Sequence, residues 1–237
     1  MSEPGEIGTE KRRAATYRFL AECYHEPDEE RVMRVTETPP EAVGIDVQGL
    51  AEATAAVETL RLDHARLFVG PFELAAPPYE SVYVDGGDRV MTESTEAVQA
   101  EYRRAGVDVD LDEPADHVAA ELEFVSLLVA TELEALEAEK FSAAEHYLER
   151  QYEFLSGHLG RWIPGLADNM REHADTEFYR LLADEMERFV EADGRLLADR
   201  LDRLGTTDDV LGVLEAPDTP GTAGGRGAGT TGRDVDR

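Results

Sequence analysis

The chain is poor in several residue types whose scarcity limits what it can be. It contains a single cysteine, Cys23, which excludes an intramolecular disulfide framework and a zinc site built from cysteines. Its best apolar stretch, residues 125–130, falls far short of the roughly 20 residues that span a bilayer. Basic residues number 23 against 52 acidic ones, a net charge of −29. So acidic a chain repels phosphate, which argues against nucleic-acid and anionic-membrane binding.

Lysine is nearly absent: only Lys11 and Lys140 occur, and every other basic residue is arginine. The acidic residues are spread over nearly all predicted helices, which indicates a solvated surface. This pattern is typical of proteins from salt-loving microbes, where molar salt screens like charges within a few ångströms. A local acidic patch that holds a cationic partner is the alternative. With 42% hydrophobic residues, the chain can still bury a sizeable core.

Helical periodicity dominates the sequence and predicts an all-α fold. The expected helices are a first one ending before Pro27, then 28–35, 48–69, 94–104, 113–140, 142–159, one beginning at Pro164, and a last one over 175–205. Asp28 is expected to cap the second helix, and Ser142 with Glu145 forms a predicted capping box. We find no internal repeat, no glycine-rich phosphate loop and no βαβ alternation.

The predicted organisation is a single compact multi-helix domain over residues 10–205. Residues 1–9 are expected to be a flexible N-terminus that lacks the order of a secretory signal, which favours a cytoplasmic location. Residues 206–237 are rich in Gly, Thr, Asp and Pro and predict a disordered tail. A long Pro- and Gly-containing loop covers residues 70–93, where 82–84 could form a small extended turn.

Two segments carry more polar and aromatic residues than a plain helical bundle needs. One is Pro-Pro-Tyr-Glu-Ser-Val-Tyr at 77–83, and the other begins with Glu-Pro-Ala-Asp-His at 113–117. In the second, proline at the first helical position and an acid in the first turn favour a helix start. Simple helix capping by Glu113 to Asp116 is therefore one interpretation of this element.

The residues that follow allow a second interpretation. Four side chains share one helical face at i, i+4, i+7 and i+11: His117, Glu121, Phe124 and Leu128. A face that is partly polar and partly apolar is typical of a groove that receives a peptide. A pairing of His117 with Glu121 on an exposed surface is the less functional alternative.

Enzymatic chemistry finds little support in the sequence. The histidines lie in no H-E-x-x-H or comparable cluster: His25, His64, His117, His146, His158 and His173. Ser81 lies in no G-x-S-x-G turn, which disfavours a serine hydrolase. Trp162 is predicted to anchor the core at a helix junction. No cofactor and no metal are expected.

Four ordered motifs resemble the TorD/DmsD/NarJ family of chaperones. They are Arg-Leu-Phe-Val-Gly-Pro at 66–71, the tyrosine-containing loop at 77–83, Glu-Pro-Ala-Asp-His at 113–117 with Glu-Leu-Glu-Phe at 121–124, and Trp-Ile-Pro at 162–164 followed by Phe-Tyr-Arg-Leu at 178–181. The resemblance covers about residues 17–204, and the E-P-x-D-H element is its most specific part. It does not extend to the acidic surface or to the C-terminal tail.

The resemblance implies a non-enzymatic, cytoplasmic, all-helical chaperone. Its partner would be the twin-arginine signal peptide, or N-terminal segment, of a molybdopterin-containing oxidoreductase, held until cofactor insertion. By position, the peptide-binding residues would be Tyr79, Ser81, Tyr83, Glu113, Asp116, His117, Glu121 and Phe124. Carboxylates suit the arginines of such a peptide and an apolar wall suits its hydrophobic part. Family members are monomers or homodimers, and no residue here decides between the two.

Two other functions stay open at this stage. One is a helical metal- or nucleotide-dependent hydrolase, and the other is a helical adaptor without peptide specificity. Nucleic-acid binding and stable membrane insertion are not expected for either.

Overall fold

The structure, a computed structural model, describes residues 4–37, 40–70, 74–86, 92–107 and 114–214, with side chains over 7–37, 40–70, 74–86, 92–107 and 114–205. The helices are α1 (Pro4–Cys23), α2 (Glu29–Glu37), α3 (Val47–Ala53), α4 (Val57–His64), α5 (Glu80–Val84), α6 (Glu93–Arg104), α7 (Val118–Glu137), α8 (Phe141–Phe154), α9 (Gly160–His173) and α10 (Glu177–Leu214). No strand occurs within these ranges, so the predicted all-α class is confirmed.

The helix α7 lies at the centre of the bundle and packs against both α1 and α8. Its residues Leu122, Val125 and Val129 are fully buried. They share one core with Tyr17 and Leu20 of α1, which lie on the apolar stripe that the sequence predicts. Because α7 is apolar around most of its circumference, it is suited to such a central position.

The chain forms two units, one ending at Leu201 and one comprising Asp202–Arg237. Within the described residues, no helix is long and apolar enough to cross a membrane. Helix α1 begins at Pro4, and proline is well tolerated in a first helical turn; the flexibility of residues 1–9 stays a prediction. Helix α10 continues to Leu214 and does not end at Gly205 as predicted. The predicted disordered tail beyond residue 214 lies outside the described residues.

Three further helix boundaries differ from the prediction. The predicted helix 48–69 is interrupted, because Thr54 takes an extended conformation and its hydroxyl donates to the carbonyl of Leu50. The residues 80–84, expected in an irregular loop with an extended turn, form the short helix α5. Pro164 does not begin a helix: α8 continues through a π-helical turn, Leu155–Leu159, into α9, and the proline lies in the second turn of α9.

Of the two predicted helix caps, one is present and one is absent. The Asp28 carboxylate accepts a hydrogen bond from the backbone nitrogen of Arg31 at 2.7 Å and caps α2 as expected. The predicted capping box at Ser142 is wrong, because α8 begins one residue earlier, at Phe141, and Lys140 precedes it without a side-chain cap. Helix α6 instead has a capping box, formed by Thr92 and Thr95.

A buried polar network joins α1 to α8 and α10. The guanidinium of Arg13 is almost completely buried, and its Nε lies 2.7 Å from the Asp193 carboxylate. It also donates to Glu10 and Gln151, while the Tyr17 hydroxyl donates to Asp193 at 2.6 Å. Since charges are buried in proteins only when they are paired and hydrogen-bonded, this network fixes how the three helices meet.

Candidate functional site

The E-P-x-D-H element forms a turn that leads into the central helix. The backbone nitrogen of His117 donates to the carbonyl of Pro114 at 3.1 Å. His117 is then the N-cap of α7, and its Nδ1 accepts from the backbone nitrogen of Ala119 at 3.2 Å. The helix therefore begins at Val118, and the prediction of a start at Glu113-Pro114 is wrong. Glu113 itself lies outside the described residues.

The tyrosine-containing loop docks onto this turn through its backbone. The nitrogen of Val118 donates to the carbonyl of Pro78 at 2.9 Å, and the nitrogen of Glu80 donates to the carbonyl of Asp116 at 3.0 Å. These bonds form an isolated antiparallel bridge between Tyr79 and His117, whose rings meet edge to face with centroids 5.3 Å apart. The two segments that the sequence singles out are thus in direct contact.

The Asp116 side chain joins three helices. It is completely buried, and its Oδ2 accepts from the backbone nitrogen of Ser81 at 3.0 Å. Its Oδ1 accepts from the hydroxyl of Thr95 at 3.0 Å. Asp116 therefore ties α5 and α6 to the start of α7. Because His117 is the helix cap, the interpretation of Asp116 as a capping residue is wrong.

Glu121 lies one turn further along α7 in a second buried arrangement. It is fully buried, and its Oε2 accepts from Nε1 of Trp162 at 3.1 Å. Its Oε1 has no hydrogen-bond partner among the described residues. Glu80, also buried, lies 2.8 Å from the Nδ1 of His158. We call Glu80, Asp116 and Glu121 the buried acidic cluster.

Burial changes the protonation of Glu121. Removal from water raises the pKa of Glu121 well above its ordinary value, and the negative charge of Glu80 raises it further. The hydrogen bond from Trp162 acts in the opposite direction but does not outweigh these two effects. Glu121 consequently keeps its proton to a higher pH in the folded protein than an exposed glutamate does.

Aromatic residues complete the site. The Tyr83 ring stacks on Trp162 with centroids 5.6 Å apart, and its hydroxyl accepts from Asn169 at 3.1 Å. A side chain at Gly165 would place its Cβ 2.8 Å from the Tyr83 ring, so glycine is needed for this close approach. Burial raises the pKa of Tyr83 to about 12. Trp162 is buried, which confirms its predicted place in the core.

Phe124 belongs to the core and not to an open wall. Its ring centroid lies 4.6 Å from that of Tyr102 and 4.8 Å from that of Phe154. The Tyr102 hydroxyl donates to the carbonyl of Ala115 at 2.8 Å, which links the aromatic group to the E-P-x-D-H turn. Leu128, the fourth residue of the predicted face, is buried as well.

The structure thus brings the described candidate residues together, but it buries four of them. Asp116, Glu121, Ser81 and Phe124 are buried, while Tyr79, Tyr83 and His117 are partly exposed. In this conformation neither carboxylate is presented to a peptide, so the peptide-binding role of these residues stays a prediction. The sequence analysis missed Thr95, Glu80 and His158, although Glu80 lies inside the tyrosine-containing motif. Among the described residues, no group of three His, Cys, Asp or Glu side chains could hold a metal ion.

Protonation of His117 is expected to control stability in mild acid. Burial lowers the pKa of His117 to about 4, whereas the unfolded chain has the ordinary value near 6.5. The stabilisation from neutral His117 is therefore complete above about pH 6.5 and declines by up to about 1.4 kcal/mol per pH unit as the pH falls toward 4. His117→Asn, which can still cap α7, should remove this decline in urea unfolding measured at a series of pH values.

The matched control for this prediction is His117→Ala. It removes both the titration and the cap, so it should be about 1 kcal/mol less stable than His117→Asn at every pH. If wild type and His117→Asn lose equal stability between about pH 6.5 and 4, His117 does not titrate as the structure implies.

The arrangement of these helices is shared with a known fold. A crystal structure described as a redox enzyme maturation protein, from Archaeoglobus fulgidus, superposes with a TM-score of 0.53 at 21% identity. The match covers 75% of this chain and 93% of that chain. The protein is therefore an all-helical protein of this fold class.

The sequence comparisons identify the family. The model of the nitrate reductase delta subunit family matches residues 37–168, more than half of the chain, and the chain belongs to this family. It is 30% identical over 140 residues to the chaperone protein TorD of Vibrio parahaemolyticus, covering 58% of this chain and 64% of that protein. It is 31% identical over 145 residues to the Tat proofreading chaperone DmsD of Salmonella typhi, with the same two coverages of 58% and 64%.

A third relative matches over more of its length. The perchlorate reductase assembly chaperone protein of Dechloromonas aromatica is 32% identical over 168 residues, covering 64% of this chain and 72% of that protein. The chain spans slightly less than two thirds of the length of the TorD and DmsD relatives named above. The predicted membership in the TorD/DmsD/NarJ family is confirmed by these matches.

Proposed function

We propose that this protein is a non-enzymatic cytoplasmic chaperone for a molybdopterin-containing oxidoreductase. It binds the N-terminal signal peptide of that enzyme and holds the enzyme until the cofactor is inserted. The observation that carries the proposal is the family match, together with relatives named as a TorD chaperone, a DmsD proofreading chaperone and a perchlorate reductase assembly chaperone.

The expected peptide-binding region is the contact between the tyrosine-containing loop and the start of α7. It combines the partly exposed rings of Tyr79, Tyr83 and His117 with the buried acidic cluster directly behind them. The aromatic rings supply apolar surface for the hydrophobic part of a signal peptide, and the carboxylates supply partners for its arginines. Oxygens of Asp116 and Glu121 become available only when the loop moves.

The segment that must move is residues 78–85, which we call the α5 segment. It is held by the hydrogen bonds of Asp116, by the contact between Glu80 and His158, and by the stacking of Tyr83 on Trp162. Movement of this segment would return Glu121 to water and lower its pKa toward the ordinary range, giving a carboxylate that pairs with an arginine. Burial thus keeps the acid neutral until a cationic peptide arrives.

A binding titration tests the proposed function. We expect a twin-arginine signal peptide from a molybdopterin oxidoreductase to bind in molar KCl, where non-specific attraction to a chain of charge −29 is screened. A scrambled peptide of the same composition should bind at least about tenfold more weakly, since a specific site is worth more than about 1.4 kcal/mol. Equal binding of both peptides would reduce the interaction to general charge attraction and contradict the proposal.

A substitution outside the expected contact surface tests whether the α5 segment opens. Thr95 lies on α6 and donates one of the hydrogen bonds that hold Asp116. Thr95→Val removes this bond, worth about 1 kcal/mol, together with the bond that Thr95 accepts from the backbone nitrogen of Thr92 in the capping box of α6, and so raises the population of the open form. Signal-peptide affinity should then rise by up to about fivefold, because the binding-competent fraction increases.

The same substitution on α2 provides the control. The Thr36 hydroxyl donates only to carbonyls within its own helix, at Val32 and Met33. Thr36→Val should leave peptide affinity unchanged. A lower affinity in Thr95→Val, with Thr36→Val unchanged, would mean that the closed arrangement is itself the binding form.

A further inference from the structure

A groove runs between α1, α2 and α7 and has a cavity of about 350 Å³. It shares no residue with the α5 segment or with the buried acidic cluster. Its lining falls into a floor of small and apolar residues, Ala14, Ala15, Phe19, Ser126 and Ala130, and a rim of larger ones, Lys11, Arg18, Glu22, Arg34 and Pro40.

The small residues of the floor allow α1 and α7 to approach each other closely. The Ser126 hydroxyl donates to the carbonyl of Ala14 at 3.0 Å and holds α7 directly against α1. Ala15 and Ala130 are partly exposed, so their methyl groups are available to a ligand. An apolar floor of this kind accepts the apolar face of an amphipathic helix at close range.

The rim is less acidic than the rest of the molecule. Three cations and one acid line it, and two further acids, Glu137 and Glu30, are ion-paired with Lys11 and Arg34, whereas the chain as a whole has 23 basic residues against 52 acidic ones. Two of the cations already have acidic partners: Lys11 lies 2.9 Å from Glu137, and Arg34 lies 3.2 Å from Glu22 and 2.7 Å from Glu30. Arg18 is exposed, and within the described residues it forms no ion pair. It is the cation of the rim that is available to a partner.

We propose that this groove binds an acidic amphipathic helix of another protein. The apolar face of that helix rests on the floor formed by Ala15 and Ala130, and its carboxylates pair with Arg18 and compete for Lys11 and Arg34. An acidic partner fits because carboxylates find cations here, while the remaining surface repels them. The inference is independent of the proposed function, since it concerns a different partner chemistry and needs no signal peptide.

Fluorescence anisotropy with designed peptides tests this inference. The probe is a dye-labelled helical peptide with a Leu/Ala face and a Glu-rich face, and a scrambled peptide of equal composition shows whether the apolar face is needed. Titrations are run at the lowest salt concentration at which circular dichroism shows a folded protein. We expect the amphipathic peptide to bind and Arg18→Glu to weaken binding by about tenfold, since an attractive charge contact becomes a repulsive one.

Arg103→Glu is the matched control. Arg103 is an exposed arginine of α6 whose Nε donates to the carbonyl of Gln99, so its reversal changes the net charge equally without touching the groove. Ala15→Trp fills the groove without altering charge and should also weaken binding by tenfold or more. The inference is supported if only Arg18→Glu and Ala15→Trp lose affinity.

Three results would overturn the inference. The first is no binding of the amphipathic peptide, and the second is an equal loss of affinity in Arg18→Glu and Arg103→Glu, which would indicate an effect of net charge. The third is a dimer of this chain, seen by sedimentation in wild type and lost in Ala15→Trp, which would place a second copy in the groove.

Discussion

Replacement of Arg13 by alanine is expected to lower the free energy of unfolding by about 3–5 kcal/mol, the usual cost of removing one partner from a buried ion pair. The guanidinium of Arg13 lies between the carboxylates of Glu10 and Asp193. Without it, both acids remain buried near each other with no countercharge from α1. Burial alone would lower the pKa of Arg13, but the charges of Asp193 and Glu10 outweigh it and raise that pKa.

The control for this prediction is the preceding residue. Arg12 is exposed on the same helix, so Arg12→Ala should change the unfolding free energy by no more than about 0.5 kcal/mol. Urea unfolding followed by far-ultraviolet circular dichroism, at one fixed salt concentration, measures both variants. Similar stabilities for Arg12→Ala and Arg13→Ala would show that the network is hydrated and contributes little.

A double-substitution cycle separates the interaction energy between Arg13 and Asp193 from the energies of their other contacts. Asp193 accepts from the Tyr17 hydroxyl as well as contacting Arg13, so its removal affects both neighbours. We expect Arg13→Ala with Asp193→Ala to cost less than the sum of the two single substitutions, because the second change removes a charge that the first left unpaired. Additive losses would indicate that the two side chains act independently.

Replacement of Glu121 by glutamine is expected to stabilise the protein increasingly as the pH rises. The folded protein holds Glu121 protonated because burial and the charge of Glu80 raise its pKa, whereas the unfolded chain releases this proton near pH 4.3. The stabilisation from neutral Glu121 is complete below that pH and declines above it. Until the pH reaches the raised folded-state pKa, wild type loses up to about 1.4 kcal/mol per pH unit relative to a side chain that cannot ionise.

Glutamine is a close match in shape and keeps an oxygen for the hydrogen bond from Trp162. We expect the difference in unfolding free energy between Glu121→Gln and wild type to widen as the pH rises above about 4.3, where the unfolded chain ionises. Glu134→Gln, an exposed position on the same helix, should show no such widening. Parallel pH profiles for wild type and Glu121→Gln would mean that Glu121 is ionised in the folded protein.

Helix α7 contributes a residue to each of the two regions that these predictions concern. Its C-terminal half contributes Glu132 to the Arg13 network, where each acid has a cationic partner or a hydrogen-bond donor. Its N-terminal end contributes Glu121 to the buried acidic cluster, and this side chain has one unpartnered oxygen among the described residues. Buried atoms without a hydrogen-bond partner also occur in the Arg13 network, at Arg13 Nε and Arg200 Nη1, so neither region is completely satisfied.

Much of the architecture could be predicted from the sequence alone. Helical spacing of apolar residues determines that the fold is all-α, because a period of 3.6 places those residues on one buried face. The stripe containing Tyr17 and Leu20 is buried as this rule requires. The ordered motifs also sufficed to indicate the family, since they lie along a chain whose residues 37–168 match its model.

The boundaries between helices depend on local backbone conformation and hydrogen bonding, which the periodicity of apolar residues does not describe. Thr54 interrupts a helix by taking an extended conformation, although the apolar spacing continues across it. Pro164 neither begins nor interrupts a helix: it lies in the second turn of α9, which follows the π-helical turn Leu155–Leu159 without a break. Both outcomes depend on which backbone groups find partners nearby.

Only the tertiary structure decided what the E-P-x-D-H element does. The sequence placed Asp116 and Glu121 at the start of a helix, where a carboxylate is equally suited to cap the helix, to face solvent or to bind an arginine. The partner that buries Asp116 is Ser81, which lies 35 residues earlier in the chain, and Trp162, which bonds to Glu121, lies 41 residues later. Exposure and protonation of a carboxylate are set by every element packed around it, and that packing brings together residues whose spacing in the sequence follows no periodicity.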